Sequence, residues 1–63
     1  DLSKLSEEAK TVYAVFGDEP VHIDDIIRKT GLPFSKVFSS VTELELSELI
    51  GSSAGKLYHK INN

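Results

Sequence analysis

The chain has no cysteine, methionine or tryptophan, and two prolines among its 63 residues. Without cysteine there is no disulfide framework and no thiolate metal site, so stability must come from packed side chains. A cytoplasmic setting is the expectation that fits. Long apolar runs are missing too. Nothing approaches the roughly 20 residues that cross a bilayer, and no leader peptide is recognisable. No repeat, linker or low-complexity segment interrupts the pattern. A chain that starts at Asp1 and contains no methionine is expected to be one domain, residues 1–63, cut from a longer protein.

Hydrophobic residues make up 40% and charged residues 27%, the mixture of an ordinary folded domain. At this length about 60% of the unfolded surface is buried on folding, which suffices for a small bundle but not for a deep substrate cleft. Neither a small-molecule substrate nor a cofactor is expected. The formal net charge of −3 conceals an asymmetry. Asp1 to Asp25 holds two lysines against seven carboxylates, whereas Ile26 to Asn63 holds five cations against three glutamates. Such a domain can turn its basic half toward a polyanion, although solvated helix faces explain the same distribution.

Ser6 is placed to cap a first helix, with Glu7 and Glu8 in its first turn at the positive end of the dipole. Leu5, Ala9, Val12 and Phe16 follow helical spacing, Val15 widens the stripe, and Gly17 is expected to end it before the turn GDEP. Val21 to Ile23 is long enough for one rung of a sheet. A second helix starts with Asp24 and Asp25, buries Ile23, Ile26, Ile27 and Thr30, and carries Arg28 and Lys29 at its C-terminal end. Gly31 then supplies a left-handed cap, with Leu32 packing back over the corner. Pro33 opens a third helix, whose stripe is Val37, Val41 and Leu44, continued by Leu46 or Leu49. Its opposite face is expected to carry Ser35, Lys36, Ser39, Thr42 and Glu43. GSSAG reads as the loop between two short strands, with KLYHKI returning.

Three helices, a short extended piece after the first, and a closing hairpin define a mainly α fold with a small β-hairpin: a winged helix-turn-helix of three helices plus a wing. The segments GDEPVHIDDIIRKTGLP and VTELELSELI, together with their order, resemble the C-terminal winged-helix domain of the DprA/Smf DNA-processing proteins. The resemblance runs from Leu5 to Tyr58. It implies a parent protein whose Rossmann-like domain binds incoming single-stranded DNA and passes it to a RecA-type recombinase during natural transformation. The chain departs from that family in two places. Glu48 stands where glycine usually precedes the final LI, so the turn out of the third helix is expected to differ. The wing GSSAGK has a single lysine.

No catalytic constellation is legible. His22 and His59 are distant in sequence and accompany no nucleophile at a strand–helix elbow. Two imidazoles do not make a zinc site, and adjacent Asp24 and Asp25 diverge around a helix. His22 reads as a boundary residue beside Pro20 and Val21, His59 as strand surface. GSSAG lacks the lysine and hydroxyl of a phosphate-binding loop. Phe34 and Phe38, one turn apart, are expected to pack partly into the core; the alternative is an apolar edge for a protein partner. Strict alternation places Tyr58 outward with Lys56 and Lys60, whereas the resemblance implies an inward Tyr58.

DNA affinity needs several cations on one surface. The candidates are Ser35, Lys36, Ser39, Lys56 and Lys60, with Arg28 and Lys29 at the rim. The third helix has no arginine, asparagine or glutamine to read base edges, and its Glu43 is acidic. Any contact with DNA is therefore expected to be weak and non-specific. Three readings follow. One is an accessory domain of a DprA-like protein, touching DNA weakly or docking on its Rossmann-like domain or another protein. The others are a regulator's duplex-binding domain and a purely protein-binding module.

Overall fold

The computed structural model describes residues 2–61. A single 3-10 turn, Leu2–Lys4, precedes α1 (Glu7–Tyr13), β1 (Val21–His22), α2 (Ile23–Thr30), α3 (Phe34–Leu46), β2 (Ile50–Ser53) and β3 (Leu57–Lys60). The strands form an antiparallel sheet in the order β1-β3-β2. The initial 3-10 turn has no signal in the spacing of apolar residues.

Ser6 caps α1 as its position implies, its Oγ accepting from the Ala9 N–H at 3.1 Å. The helix stops at Tyr13 rather than at Gly17. Tight turns then carry the chain on, with Val15 N–H donating to Val12 O and Phe16 N–H to Tyr13 O, and they bring Phe16 into the core. Gly17 is not in the left-handed region.

The α2 cap is His22. Its ring Nδ1 accepts from the Asp24 N–H at 3.0 Å, so the neutral ring carries its proton on Nε2. A histidine is an uncommon cap, and the run from strand to helix without an intervening serine or aspartate hides it. At the other end Gly31 has φ 74 and its N–H donates to Ile27 O at 2.9 Å. Thr30 Oγ1 accepts from the Leu32 N–H at 3.2 Å, which fixes the three-residue corner before α3. Pro33 is the extended N-cap of α3, one residue earlier than its first helical position.

The core joins one stripe from each helix to the sheet: Leu5, Ala9, Val12 and Phe16 with Ile23, Ile26, Val37, Val41, Leu44 and Ile50. The third-helix stripe continues through Leu49, while Leu46 is 81% exposed. The helix has ended before Leu49, so helical spacing alone does not bring it inward. Instead, Glu48 has φ 62 and turns the chain. Glu48 N–H donates to Glu45 O and Leu49 N–H to Leu44 O, both at 3.0 Å, and Leu49 folds back over the helix end. The turn therefore takes the left-handed form that a glycine would allow, with Glu48 in glycine's place.

Cross-strand partners share a sheet face. Ile50, Lys60, Ser52, Tyr58 and Val21 thus face the helices; Gly51, His59, Ser53, Leu57 and His22 face outward. Tyr58 packs on the core, settling its orientation. Lys56 does not share its face, because Lys56 lies in the turn before β3 with φ 63. The loop is also shorter than GSSAG: Gly51 to Ser53 belong to β2.

Candidate interaction surface on the third helix and wing

The α3 side chains divide into three strips set by helical spacing. Val37, Ser40, Val41 and Leu44 are buried. A second strip, Lys36, Ser39 and Glu43, lines a small polar groove with Ser6, Glu8 and Ser40. There Glu43 is held by the start of α1: its Oε2 accepts from the Ser6 N–H and its Oε1 from the Ser6 Oγ, each at 2.9 Å. Glu43 therefore does not project its charge from the free face of α3, as its sequence position suggested. It closes the α1–α3 seam, and its partner 37 residues away leaves no local signal in the sequence. Lys36 Nζ lies 3.8 Å from Glu8 Oε2, so the cation expected to face DNA has a carboxylate neighbour, in an exposed pair of modest strength.

The third strip is solvent-exposed: Phe34, Ser35, Phe38, Thr42 and Leu46, with half-buried Glu45 on the same side as Phe38. Phe34 and Phe38 are 56% and 51% exposed, and their rings stack at 5.8 Å between centroids. They do not join the core, because Val37 and Val41 already fill the inward positions and the phenyl rings lie on the flank. They shield each other instead. None of its side chains carries a positive charge.

The remaining candidates lie on other elements. Lys56 occupies the wing turn, is exposed, and has no ion-pair partner among the described residues. Lys60, at the far end of β3, faces α1 with its Nζ 5.1 Å from the centre of the Tyr13 ring. That contact is of cation–π type. At the rim, Arg28 pairs with Asp25, and Lys29 lines a surface groove together with Asp18, Glu19 and Asp25.

The wing is short. Leu57 and Tyr58, the first residues of β3, already pair with His22 and Val21, and the Ile23 N–H donates to Lys56 O at 3.2 Å. Its turn is thus held level with the start of α2. Ala54, Gly55 and Lys56 alone extend past the paired rows. On the outer sheet face His59 lies against Gly51, with Ser53 Oγ 3.4 Å from its Nδ1. His22 is committed to its cap.

A helix-turn-helix with a three-residue corner, closed by a β-hairpin, defines a winged-helix module, a class that binds DNA or docks on protein. The chain belongs to the DprA winged helix domain family, whose model matches residues 1–56. No curated protein and no solved structure matches it. Among the described residues no helix is long and apolar enough to cross a membrane.

Proposed function

We propose that this chain is an accessory domain of a DprA-like DNA-processing protein, acting in natural transformation and recombinase loading, and that it docks on protein through the outer strip of α3 instead of reading DNA. The observation that carries this reading is a strip without a cation, with Phe34, Phe38 and Leu46 half or more exposed. A helix that enters a groove of duplex DNA needs cations for phosphates and bidentate side chains for bases. This strip offers neither, and large exposed apolar groups are what a protein interface buries.

Contact with DNA is then limited to weak attraction through Lys56, with Lys36 in part engaged by Glu8. Two cations give a salt slope of about −1.8 in log–log form, far below that of a dedicated DNA-binding domain. Titrating labelled single- and double-stranded oligonucleotides at low and moderate salt tests this. The expected result is a dissociation constant of about 10⁻⁴ M or weaker at physiological salt, without sequence preference. Lys36→Ala with Lys56→Ala should abolish the residual signal, and Lys4→Ala should not change it. Tight, salt-tolerant binding to one duplex sequence would overturn the proposal in favour of a transcription regulator.

A further inference from the structure

The outer strip of α3 ends in carboxylates. Glu45 lies two turns beyond Phe38 and so falls on the same side of the helix, and Glu48 follows directly after the cap. Glu45 is half-buried and Glu48 exposed, and neither has an ion-pair partner among the described residues. Lys36, the nearest cation to Glu45 in sequence, is on the flank that faces Glu8, and Lys56, the nearest to Glu48, lies in the wing turn. Glu48 is also held at φ 62, a conformation that favours glycine, so the chain presents a carboxylate where the backbone opposes one.

Together these residues make a surface about 20 Å long, the length of a 13-residue helix. Two stacked aromatic rings sit at one end, an exposed leucine at the other, and two unpaired carboxylates lie beside the leucine. Resting on the docking reading above, we propose that its occupant is an amphipathic helix of another protein, with apolar anchors along one stripe and lysines or arginines next to them. Phe34, Phe38, Thr42 and Leu46 follow one i, i+4 ridge of the helix, the kind of ridge that packs into the groove of a second helix. The carboxylates set its sign, because burying them beside a neutral or acidic partner would leave desolvated charge unpaired. A second copy of this chain fits poorly for the same reason: the outer strip brings no cation to meet Glu45 and Glu48.

The test uses the isotope-labelled chain and three synthetic peptides of equal length: a leucine/lysine amphipathic helix, its leucine/glutamate counterpart, and a lysine/serine peptide matching the charge of the first. Amide shifts are followed by NMR. The leucine/lysine peptide should shift resonances of Phe34, Phe38, Glu45 and Leu46. Glu45→Gln with Glu48→Gln should weaken it about fivefold, the scale expected for two rim charges. Phe38→Ser or Leu46→Ser should also weaken it; both positions are exposed, so neither change empties the core. Asp18→Asn with Glu19→Gln removes the same charge elsewhere and should leave binding unchanged. Equal binding of the lysine/serine peptide, or shifts centred on Asp18 and Glu19, would reduce the effect to general attraction and overturn the proposal. Equal binding of the leucine/glutamate peptide would refute the basic partner but leave the docking reading standing. Self-association through the α3 strip would do the same. Oligonucleotide-induced shifts along that strip would instead overturn the docking reading itself.

Discussion

Replacing Glu48 by glycine should stabilise this protein by about 1 kcal/mol, although it deletes a whole side chain. Glu48 sits at φ 62 in the turn that returns Leu49 to the end of α3. An L-residue in that conformation costs roughly 1–2 kcal/mol, and glycine adopts it freely. The greater freedom of glycine in the unfolded chain takes back about 0.4–1 kcal/mol. Removing a carboxylate from the negative end of a helix returns about 0.3–1 kcal/mol. No basic residue occupies the last turn of α3 to mask that term. For a domain of this size the net gain raises the midpoint of thermal unfolding by about 4–8 °C, readable by far-ultraviolet circular dichroism. Two controls separate the terms. Glu48→Gln relieves only the charge and should gain a few tenths of a kcal/mol, roughly the lower end of the dipole effect. Glu48→Ala keeps the Cβ and should fall short of glycine. The opposite change belongs at Gly31, where φ is 74 and an added Cβ would meet nothing within 4 Å. Gly31→Val should therefore destabilise by strain alone, by about 1–2 kcal/mol. A Glu48→Gly variant no more stable than Glu48→Gln would refute the left-handed assignment at the end of α3.

Val41 is fully buried at the centre of the α3 stripe, and Val41→Ala should cost about 2 kcal/mol in urea or thermal unfolding; an unchanged midpoint would mean a different helix register. His22→Ala should lose about 1 kcal/mol by removing the α2 cap, and His22→Asn should restore most of it, because asparagine also accepts from a first-turn N–H. Equal losses in thermal unfolding would assign the effect to packing. Glu43→Ala removes the acceptor for both Ser6 donors and should cost about 1–2 kcal/mol. Hydrogen exchange of the α1 amides should rise in that variant, and unchanged exchange would refute its role as a tie between the helices.

Much of the fold is legible in local pattern because local physics decides it. Ala9, Val12, Ile26, Val37, Val41 and Leu44 recur at helical spacing, and all of them are buried. Gly31 marks the corner because few other residues reach its φ without strain. The residues needed to name the family also lie in short runs that are visible without a structure. Tertiary structure decided what depends on distant neighbours. Glu43 looks like a free surface acid until Ser6 arrives from 37 residues away. Lys36 looks like an unaccompanied cation until Glu8 is placed beside it. Phe34 and Phe38 carry the same hydrophobic signal as the core, and only the packing of Val37 and Val41 leaves their rings outside. The direction of Tyr58 follows from pairing with Val21 and Ser52, since alternation gives the period of a strand but not which face meets the helices. Composition and spacing thus sufficed for the winged helix. The lack of cations on the outer strip is itself in the sequence; tertiary structure added that Phe34 and Phe38 stay exposed there, while Ser6 and Glu8 engage Glu43 and Lys36 on the neighbouring flank.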